Sequence, residues 1–223
     1  MPIDPTAVRA VVFDLGNVLL RLDNELYGHS WPDGIGRLDG TGRLDGTGVR
    51  HEDFEAWVAG ENLWYDYETG RVSTDDFVAK LQQRLGLSPK QVLRYWNSLL
   101  LGWVPGMAAG LEVLRKRYPL YVLSNTNAAH IDWVTQDAKA SGLGDWTRFF
   151  EYVAYSFELD SLKPEAAIYE RAREKYGVAA GGLLFVDDRE ENVEAARARG
   201  WQAMHLVPGE DVFLKLEGVL GAG

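Results

Sequence analysis

Short runs of apolar residues that end in a polar side chain recur along this chain, and they predict the strands of a buried sheet. The first run, Val11 to Phe13, is followed directly by Asp14. Continuous apolar residues are typical of strands in parallel sheets that are covered on both faces. Gly16 and Asn17 then supply turn chemistry. Asp14 is therefore expected at the carboxyl end of its strand, where α/β sheets bind their ligands.

The second half of the chain alternates between such strands and segments with helical spacing. Strands are predicted at residues 120–123, 152–155, 182–186 and 202–207, and helices at 107–117, 130–140, 164–176 and 191–199. Alternation at these lengths indicates βαβ units. The sequence therefore predicts an α/β fold with a Rossmann-like parallel sheet and helices on both of its faces.

Between the first strand and this alternating region, the apolar spacing is helical. Helices are predicted at 51–58, at 74–85 and from 89 to about 101. Ser73 or Thr74 suits the N-cap of the second helix and Gly86 suits its end. Five tryptophans are expected mostly in the core of this region, with one or two lining a pocket: Trp31, Trp57, Trp64, Trp96 and Trp103.

These patterns divide the chain into two units. We predict a core domain of residues 1–21 and 103–223, and a small helical cap inserted at 22–102. Residues 37–48 hold the sequence Arg-Leu-Asp-Gly-Thr-Gly twice in tandem. A glycine-rich phosphate loop is one interpretation, but no Lys-Ser/Thr follows the repeat and no buried strand precedes it. We therefore predict a mobile loop insertion there.

Composition excludes several classes of partner. The net charge of −10 argues against a nucleic-acid backbone as a partner, although a metal in the site still permits a small phosphorylated substrate. The absence of cysteine rules out disulfides and thiolate metal sites and is compatible with the cytoplasm, where we place the protein. No leader and no long uncharged run is found, so no membrane partner is expected.

Chemically active side chains end several of the predicted strands. The residues expected at one edge of the sheet are Asp14, Ser124 and the adjacent Asp187 and Asp188. Lys163, which precedes a predicted helix, can reach the same edge. Carboxylates this close repel one another unless a hard cation lies between them, and oxygen ligands favour Mg²⁺. Metal, lysine and hydroxyl could bind a phosphoryl group, and a carboxylate could attack its phosphorus to form an aspartyl-phosphate.

Four ordered segments carry this chemistry: Phe13-Asp14-Leu15-Gly16-Asn17-Val18, Leu123-Ser124-Asn125-Thr126-Asn127, Leu162-Lys163-Pro164-Glu165 and Phe185-Val186-Asp187-Asp188. With these segments the chain resembles the haloacid dehalogenase-like hydrolase superfamily from about Ala10 to Val207. The helical insertion resembles that superfamily's small α-helical cap. Within the superfamily, the chain is similar to bacterial α-D-glucose-1-phosphate phosphatases.

The resemblance implies a role for each motif residue around a Mg²⁺ ion. Asp14 would be both the nucleophile and a metal ligand. The Gly16 carbonyl and Asp188 would be further ligands. Asp187 would be either a ligand or a partner of the ligands.

The resemblance also implies how the phosphoryl group is bound. Ser124 and Asn125 would hydrogen-bond its oxygens, and Lys163 would neutralise charge on the nucleophile and the phosphate. Most phosphatases of the superfamily carry a second Asp two residues after the nucleophile as general acid, but this chain has Gly16 there. The similar subfamily shares that glycine, so activity is still expected. His130 or a cap carboxylate could supply the proton, although for His130 a capping or packing role is favoured over a catalytic one.

Together these features predict a Mg²⁺-dependent phosphatase for a small phosphorylated metabolite, such as the hexose 1-phosphate of the similar subfamily. Two alternatives stay open. A phosphomutase or dehalogenase would keep the fold and change the reaction, but dehalogenation needs no metal carboxylates, which the adjacent Asp187 and Asp188 disfavour. A catalytically silent phospho-ligand binding protein would have lost its acid at Gly16, but retention of Asp14 and Lys163 disfavours it.

Overall fold

The structure is a computed structural model that describes residues 2–23 and 60–221, together with positions 50, 53, 56 and 57. The tandem repeat at 37–48 and Trp31 lie outside the described residues. Most of the predicted helix at 51–58 also does, and its described positions 53, 56 and 57 are helical.

The helices and strands are labelled in chain order among the described residues. They are β1 (Ala10–Phe13), β2 (Leu20–Leu22), α1 (Leu63–Glu68), α2 (Thr74–Leu85), α3 (Pro89–Trp96), β3 (Leu100–Trp103), α4 (Met107–Leu114), β4 (Leu120–Ser124), α5 (Ala128–Ala140), β5 (Tyr152–Tyr155), α6 (Ser156–Leu159), α7 (Ala166–Tyr176), β6 (Leu183–Asp187), α8 (Glu190–Ala198), β7 (Gln202–His205) and α9 (Val212–Leu220). Short 3₁₀ turns lie at Asn97–Leu99, Trp146–Phe149 and Ala180–Gly182.

Five strands form one parallel sheet in the order β5-β4-β1-β6-β7. Every residue of β1, β4 and β6 is buried, which requires cover on both faces of the sheet. Val11 and Phe13 pack into one apolar cluster, and Ala10 and Val12 pack into another, because alternate side chains of a strand point to opposite faces. The predicted α/β fold is confirmed.

Among the described residues, two helices of the carboxyl-terminal part lie beyond the predicted set: the four-residue α6 and the longer α9. In α9, Val212, Leu216 and Leu220 recur every fourth residue and are buried against the core. The Asp211 side chain caps the helix by accepting the backbone N–H groups of Phe213 and Leu214. This helix closes the face of the sheet that contains Phe13.

Helices α1, α2 and α3 pack on one another around a separate apolar cluster that includes Tyr67, Phe77 and Trp96. The predicted start and end of α2 agree with the structure. The Ser73 side chain accepts the Asp76 N–H, and Gly86 adopts a left-handed φ of 69° after the last helical residue.

The prediction for the third helix was wrong at its end. Helix α3 stops at Trp96, and after a 3₁₀ turn Leu100–Trp103 forms β3, which pairs antiparallel with β2. Trp103 consequently packs against the core cluster instead of the helical one, with its ring 5.4 Å from that of Trp146. This pair of strands spans the predicted boundaries at 22 and 103, and the division into two domains stays a prediction.

Among the described residues, no helix combines the length and the apolar character that a membrane crossing requires.

Candidate active site

The carboxyl ends of the three central strands meet at one edge of the sheet. Asp14 follows β1 directly, Ser124 is the last residue of β4, and Asp187 is the last residue of β6. The backbone N–H of Asp14 donates to the Val186 carbonyl at 2.9 Å, which extends the pairing of β1 and β6 to the site itself. The structure therefore brings together the strand-end residues that the sequence predicted there.

A buried lysine joins two of the carboxylates. Lys163 Nζ lies 2.8 Å from Asp14 Oδ1 and 2.7 Å from Asp187 Oδ2, and its side chain is 1% exposed. Burial alone would lower the pKa of the Lys163 ammonium, but the two ion pairs outweigh that effect and raise the pKa above its ordinary value. The lysine is therefore a fixed positive charge beside the nucleophile candidate.

Three carboxylates crowd this edge. Asp14, Asp187 and Asp188 each place an oxygen within 4.8 Å of the others. Burial, with repulsion from the other two carboxylates, raises the pKa of Asp14 to about 7 against the opposing charge of Lys163. Burial also raises the pKa of Asp188 despite a hydrogen bond from Asn17. In the protein alone, one ammonium does not balance three carboxylates, so the geometry favours a bound cation.

The two adjacent aspartates have different surroundings. Asp187 Oδ1 accepts the Arg189 N–H at 2.8 Å, Oδ2 accepts Lys163 Nζ, and Asn192 Nδ2 lies 3.0 and 3.1 Å from the two oxygens. Asp188 Oδ2 accepts Asn17 Nδ2 at 2.9 Å, while its Oδ1 is buried and has no hydrogen-bond partner among the residues that the structure describes. A buried carboxylate oxygen without a donor is costly, and a cation would satisfy it.

Asn125 makes contacts that the sequence did not predict. Its Oδ1 accepts the Lys163 backbone N–H at 2.7 Å, and its Nδ2 donates to the Lys163 carbonyl at 2.9 Å. The side chain thus holds the backbone of Lys163 at two points. Ser124 is buried and donates to the Asn125 carbonyl at 3.3 Å. The contacts of Ser124 and Asn125 with a phosphoryl group stay predictions.

No acidic side chain stands at position 16. A Cβ built on Gly16 would lie 2.9 Å from Leu22 Cδ1, so a side chain there would have to displace Leu22. His130 is buried, and both of its ring nitrogens are engaged between the core and the helices of the predicted cap. Nδ1 lies 3.1 Å from Asn127 Nδ2 and Nε2 lies 3.2 Å from the Trp96 carbonyl. These contacts fit the packing interpretation of His130.

The orientation of the Asn127 amide follows from its partners. Asn127 Oδ1 faces Trp96 Nε1 at 3.0 Å and the His130 backbone N–H at 3.1 Å, and both of these groups only donate. The Nδ2 group must therefore donate, at 3.1 Å to His130 Nδ1 and at 3.3 Å to Glu68 Oε1. The four residues of this junction are all buried: Glu68, Trp96, Asn127 and His130.

The site opens into a cavity of about 210 Å³. Asp14, Ser124 and Lys163 line this cavity, and so do Trp64 and Glu68 of helix α1. Sequence reasoning missed Glu68, because no local pattern distinguishes it from a surface residue. It included Asn127 at the end of a motif segment but predicted no role for its side chain. Asn17 was predicted only to form a turn. The structure confirms the turn, since Asn17 has a left-handed φ of 53°, and adds the contact with Asp188.

Comparison with known proteins identifies one family and several related phosphatases. Residues 8–200 match the model of the haloacid dehalogenase-like hydrolase family. A D-ribitol-5-phosphate phosphatase of Bacteroides thetaiotaomicron is 23% identical over 96% of this chain and 100% of its own length. A sesquiterpene phosphatase of Aspergillus oryzae is 23% identical over 97% of this chain and 98% of its own.

A solved structure extends the comparison. The magnesium and inorganic phosphate complex of a haloacid dehalogenase family enzyme of B. thetaiotaomicron is 27% identical, with a TM-score of 0.75 over 92% of this chain and 96% of that one. These comparisons do not show the narrower similarity to α-D-glucose-1-phosphate phosphatases, since the relatives are named for other phosphate esters.

Proposed function

Because the chain belongs to the haloacid dehalogenase-like hydrolase family, we propose that it is a Mg²⁺-dependent phosphatase acting on a small phosphorylated metabolite. The observation that carries this proposal is the buried Lys163 ammonium held 2.8 Å from Asp14, where both residues line the same cavity. The phosphatase names of two full-length relatives and the magnesium and phosphate bound to a structural neighbour support it.

The residues present fit a Mg²⁺ ion. Asp14, the backbone carbonyl of Gly16 and Asp188 Oδ1 would hold it, since Mg²⁺ prefers a few hard oxygen ligands and this Oδ1 accepts no hydrogen bond from the described part of the chain. Asp187 would instead hold Lys163, because its oxygens already accept hydrogen bonds from Lys163, Arg189 and Asn192. When bound, the metal would neutralise charge on the phosphoryl oxygens.

The protein's own groups would carry the remaining steps. The Asp14 carboxylate attacks phosphorus, and the bond from phosphorus to the leaving oxygen breaks, which forms an aspartyl-phosphate. The leaving oxygen keeps the bonding electron pair and takes a proton from solvent to leave as the alcohol. Lys163 neutralises charge that spreads over the phosphoryl oxygens, and Ser124 donates a hydrogen bond to one of them. Water then attacks the aspartyl-phosphate, which releases inorganic phosphate and restores Asp14.

The glycine at position 16 favours particular leaving groups. General acid catalysis is typically worth ~10²–10⁴-fold, and no side chain at this position can supply it. An anomeric hydroxyl is a better leaving group than a primary alcohol, because the ring oxygen withdraws electron density. We therefore keep hexose 1-phosphates as candidate substrates, and kcat/KM should be higher for glucose 1-phosphate than for glucose 6-phosphate. A higher value for the 6-phosphate would mean that another residue supplies the proton.

A substrate panel tests the proposal. Phosphate release would be measured from an aryl phosphate, D-ribitol 5-phosphate and both glucose phosphates, with Mg²⁺ and with excess chelator, beside Asp14→Asn as the inactive control. Release that depends on Mg²⁺ and on Asp14 supports the phosphatase. Halide release from a 2-haloacid in the presence of chelator would identify a dehalogenase. Phosphate binding without turnover would identify a silent binding protein.

A further inference from the structure

Glu165 lies two residues after Lys163, and its carboxylate holds the turn of the chain that contains this lysine. Glu165 Oε2 accepts the Ser161 hydroxyl at 2.7 Å and the Leu162 backbone N–H at 3.4 Å. The backbone N–H of Glu165 also donates to the Leu162 carbonyl at 2.8 Å. Residues 161–165, which we call the lysine turn, are therefore held together by one side chain.

A third hydrogen bond to Glu165 comes from the helical cluster. Tyr65 of α1 donates its hydroxyl to Glu165 Oε1 at 2.8 Å, across 100 residues of the chain. Burial alone would raise the pKa of Glu165, but the hydrogen bonds from Ser161 and Tyr65 outweigh burial and lower it. The carboxylate is therefore charged at neutral pH, and hydrogen bonds to a charged acceptor are the stronger kind.

The chain just after α1 lies close against the core beside the lysine turn. Gly70 has a left-handed φ of 77°, and a Cβ built on it would overlap the Phe157 carbonyl oxygen of α6. Glycine permits this close approach because it has no side chain. Next to it, Arg71 Nε donates to Asp160 Oδ1 at 2.9 Å. The end of α1 is thus docked on the segment that leads into the lysine turn.

The placement of the Lys163 ammonium depends on this turn. Asn125 holds the backbone of Lys163 directly, while Glu165 holds the residues on either side of it. The ammonium lies 2.8 Å from Asp14 Oδ1 and 2.7 Å from Asp187 Oδ2. A shift of the backbone would lengthen these contacts, and a misplacement of about 1 Å in an active site can lower the rate by about 10²-fold.

Helix α1 also lines the active-site cavity, through Trp64 and Glu68. The same short helix therefore contacts the cavity and, through Tyr65, the lysine turn. We infer that Tyr65 and Glu165 are positioning residues, and that the hydrogen bond between them makes the placement of Lys163 depend on the docking of α1. This inference rests on the proposed phosphatase function.

A matched pair of tyrosine substitutions tests the inference. Tyr65→Phe removes only the hydroxyl that Glu165 accepts. Tyr67→Phe, on the same helix, removes a buried hydroxyl that bonds Thr74 Oγ1 and the Ala129 backbone N–H instead. With an aryl phosphate and Mg²⁺, Tyr65→Phe should lower kcat by roughly three- to tenfold and change KM by less than about twofold, because Lys163 acts in the transition state. Tyr67→Phe should lower the melting temperature and leave kcat unchanged.

Hydrogen–deuterium exchange gives a readout that does not need turnover. Loss of the Tyr65 hydroxyl should loosen the lysine turn, so its backbone amides should exchange about threefold faster or more in Tyr65→Phe and at the wild-type rate in Tyr67→Phe.

Variants of Glu165 test whether the two residues act together. Glu165→Ala should lower kcat more than Glu165→Gln, which keeps one acceptor oxygen. Adding Tyr65→Phe to Glu165→Ala should lower kcat no further, since the shared hydrogen bond is already lost.

The inference requires both the loss of kcat and the faster exchange in Tyr65→Phe. Absence of either result, an equal loss of kcat in Tyr67→Phe, or a raised KM with unchanged kcat would overturn it. Additive losses in the double variant would overturn it as well. Absence of Mg²⁺-dependent turnover by the wild-type protein on every phosphate ester would instead refute the proposed function, and this inference with it.

Discussion

Two regions beside the active-site cavity are built in different ways. We call the strand ends around Asp14 the sheet end and the buried junction around Asn127 the cap end. At the sheet end, Asp14 and Asp187 lie at the ends of neighbouring strands. Lys163 Nζ bridges them, at 2.8 Å from Asp14 Oδ1 and 2.7 Å from Asp187 Oδ2. At the cap end, Glu68, which also lines the cavity, and Trp96 contact Asn127, which lies 59 and 31 residues away from them in the chain. The sheet end therefore brings charged side chains together, whereas at the cap end the Asn127 amide hydrogen-bonds several buried polar groups.

This difference leads us to expect different roles for the two regions, with catalysis at the sheet end and structural support at the cap end. Side chains at the ends of parallel strands are positioned by the backbone pairing of the sheet, so their placement varies little with the rest of the sequence. The Asn127 junction depends on tertiary packing of side chains from two regions. We expect mutations at the sheet end to remove turnover and mutations at the cap end to lower stability.

The largest effect is expected at the sheet end from Asp14→Asn. This change removes the attacking carboxylate with little change in volume, so turnover should fall by about 10⁴-fold or more. Thermal unfolding should show that the variant still folds, and inorganic phosphate should still bind. Steady-state activity within tenfold of wild type would contradict the role of Asp14.

At the cap end, we expect mutations to lower the stability of the protein. Asn127→Ala leaves the buried Trp96 Nε1–H and the Glu68 carboxylate without their amide partner, which should cost roughly 2–4 kcal/mol of unfolding free energy. Denaturant titration measures this loss, and the exposed Gln83→Ala provides the control. Unchanged stability together with lost aryl phosphatase activity would mean that the junction serves chemistry directly.

A smaller effect should distinguish two roles for Asn125. If Asn125 holds the Lys163 backbone, Asn125→Ala should lower kcat by about tenfold, because the ammonium is less well placed beside Asp14. The inhibition constant of inorganic phosphate should then change by less than about twofold. Ser124→Ala is the contrasting variant and should weaken phosphate inhibition. An equal weakening in Asn125→Ala would favour the phosphate contact that the sequence predicted.

The smallest effect concerns the metal-free protein. Asp188→Asn removes one of three crowded carboxylates and should raise the melting temperature by about 2–4 °C, as expected for a gain near 1 kcal/mol. The Asn17 hydrogen bond can be kept by the new amide oxygen. Addition of Mg²⁺ should stabilise wild type more than the variant. A lower melting temperature without metal would show that Asp188 stabilises the fold.

The same crowding predicts a pH dependence with a definite sign. The folded pKa of Asp14 is about 7, above its value of 3.8 in the unfolded chain, so between these values the folded state binds more protons. The contribution of Asp14 to stability is therefore present at low pH and is lost as pH rises from about 4 to about 7. The melting temperature of metal-free wild type should therefore decline more steeply over this range than that of Asp14→Asn, in which the raised pKa of Asp188 still contributes.

The sequence predicted the sheet end well because its signals are local. Three apolar residues followed by Asp14 identify a buried strand and its carboxyl end without knowledge of any partner. The cap end gave no such signal, since nothing near Glu68 or Asn127 shows that their side chains meet. Residues 100–103 have apolar residues that also suit a helix, and only their pairing with β2 decides for a strand. Helix α9 was missed although Asp211 and the spacing of its apolar residues mark it.

The central claim is that Asp14 carries the phosphoryl group during turnover. Wild-type protein turning over an aryl phosphate with Mg²⁺ would be quenched in acid, digested and analysed by mass spectrometry. The account predicts a peptide containing Asp14 that is heavier by one phosphoryl group and is absent from Asp14→Asn and from chelator-treated samples. A phosphoryl group on another residue, or rapid turnover with no adduct on Asp14 under conditions that accumulate the intermediate, would contradict it.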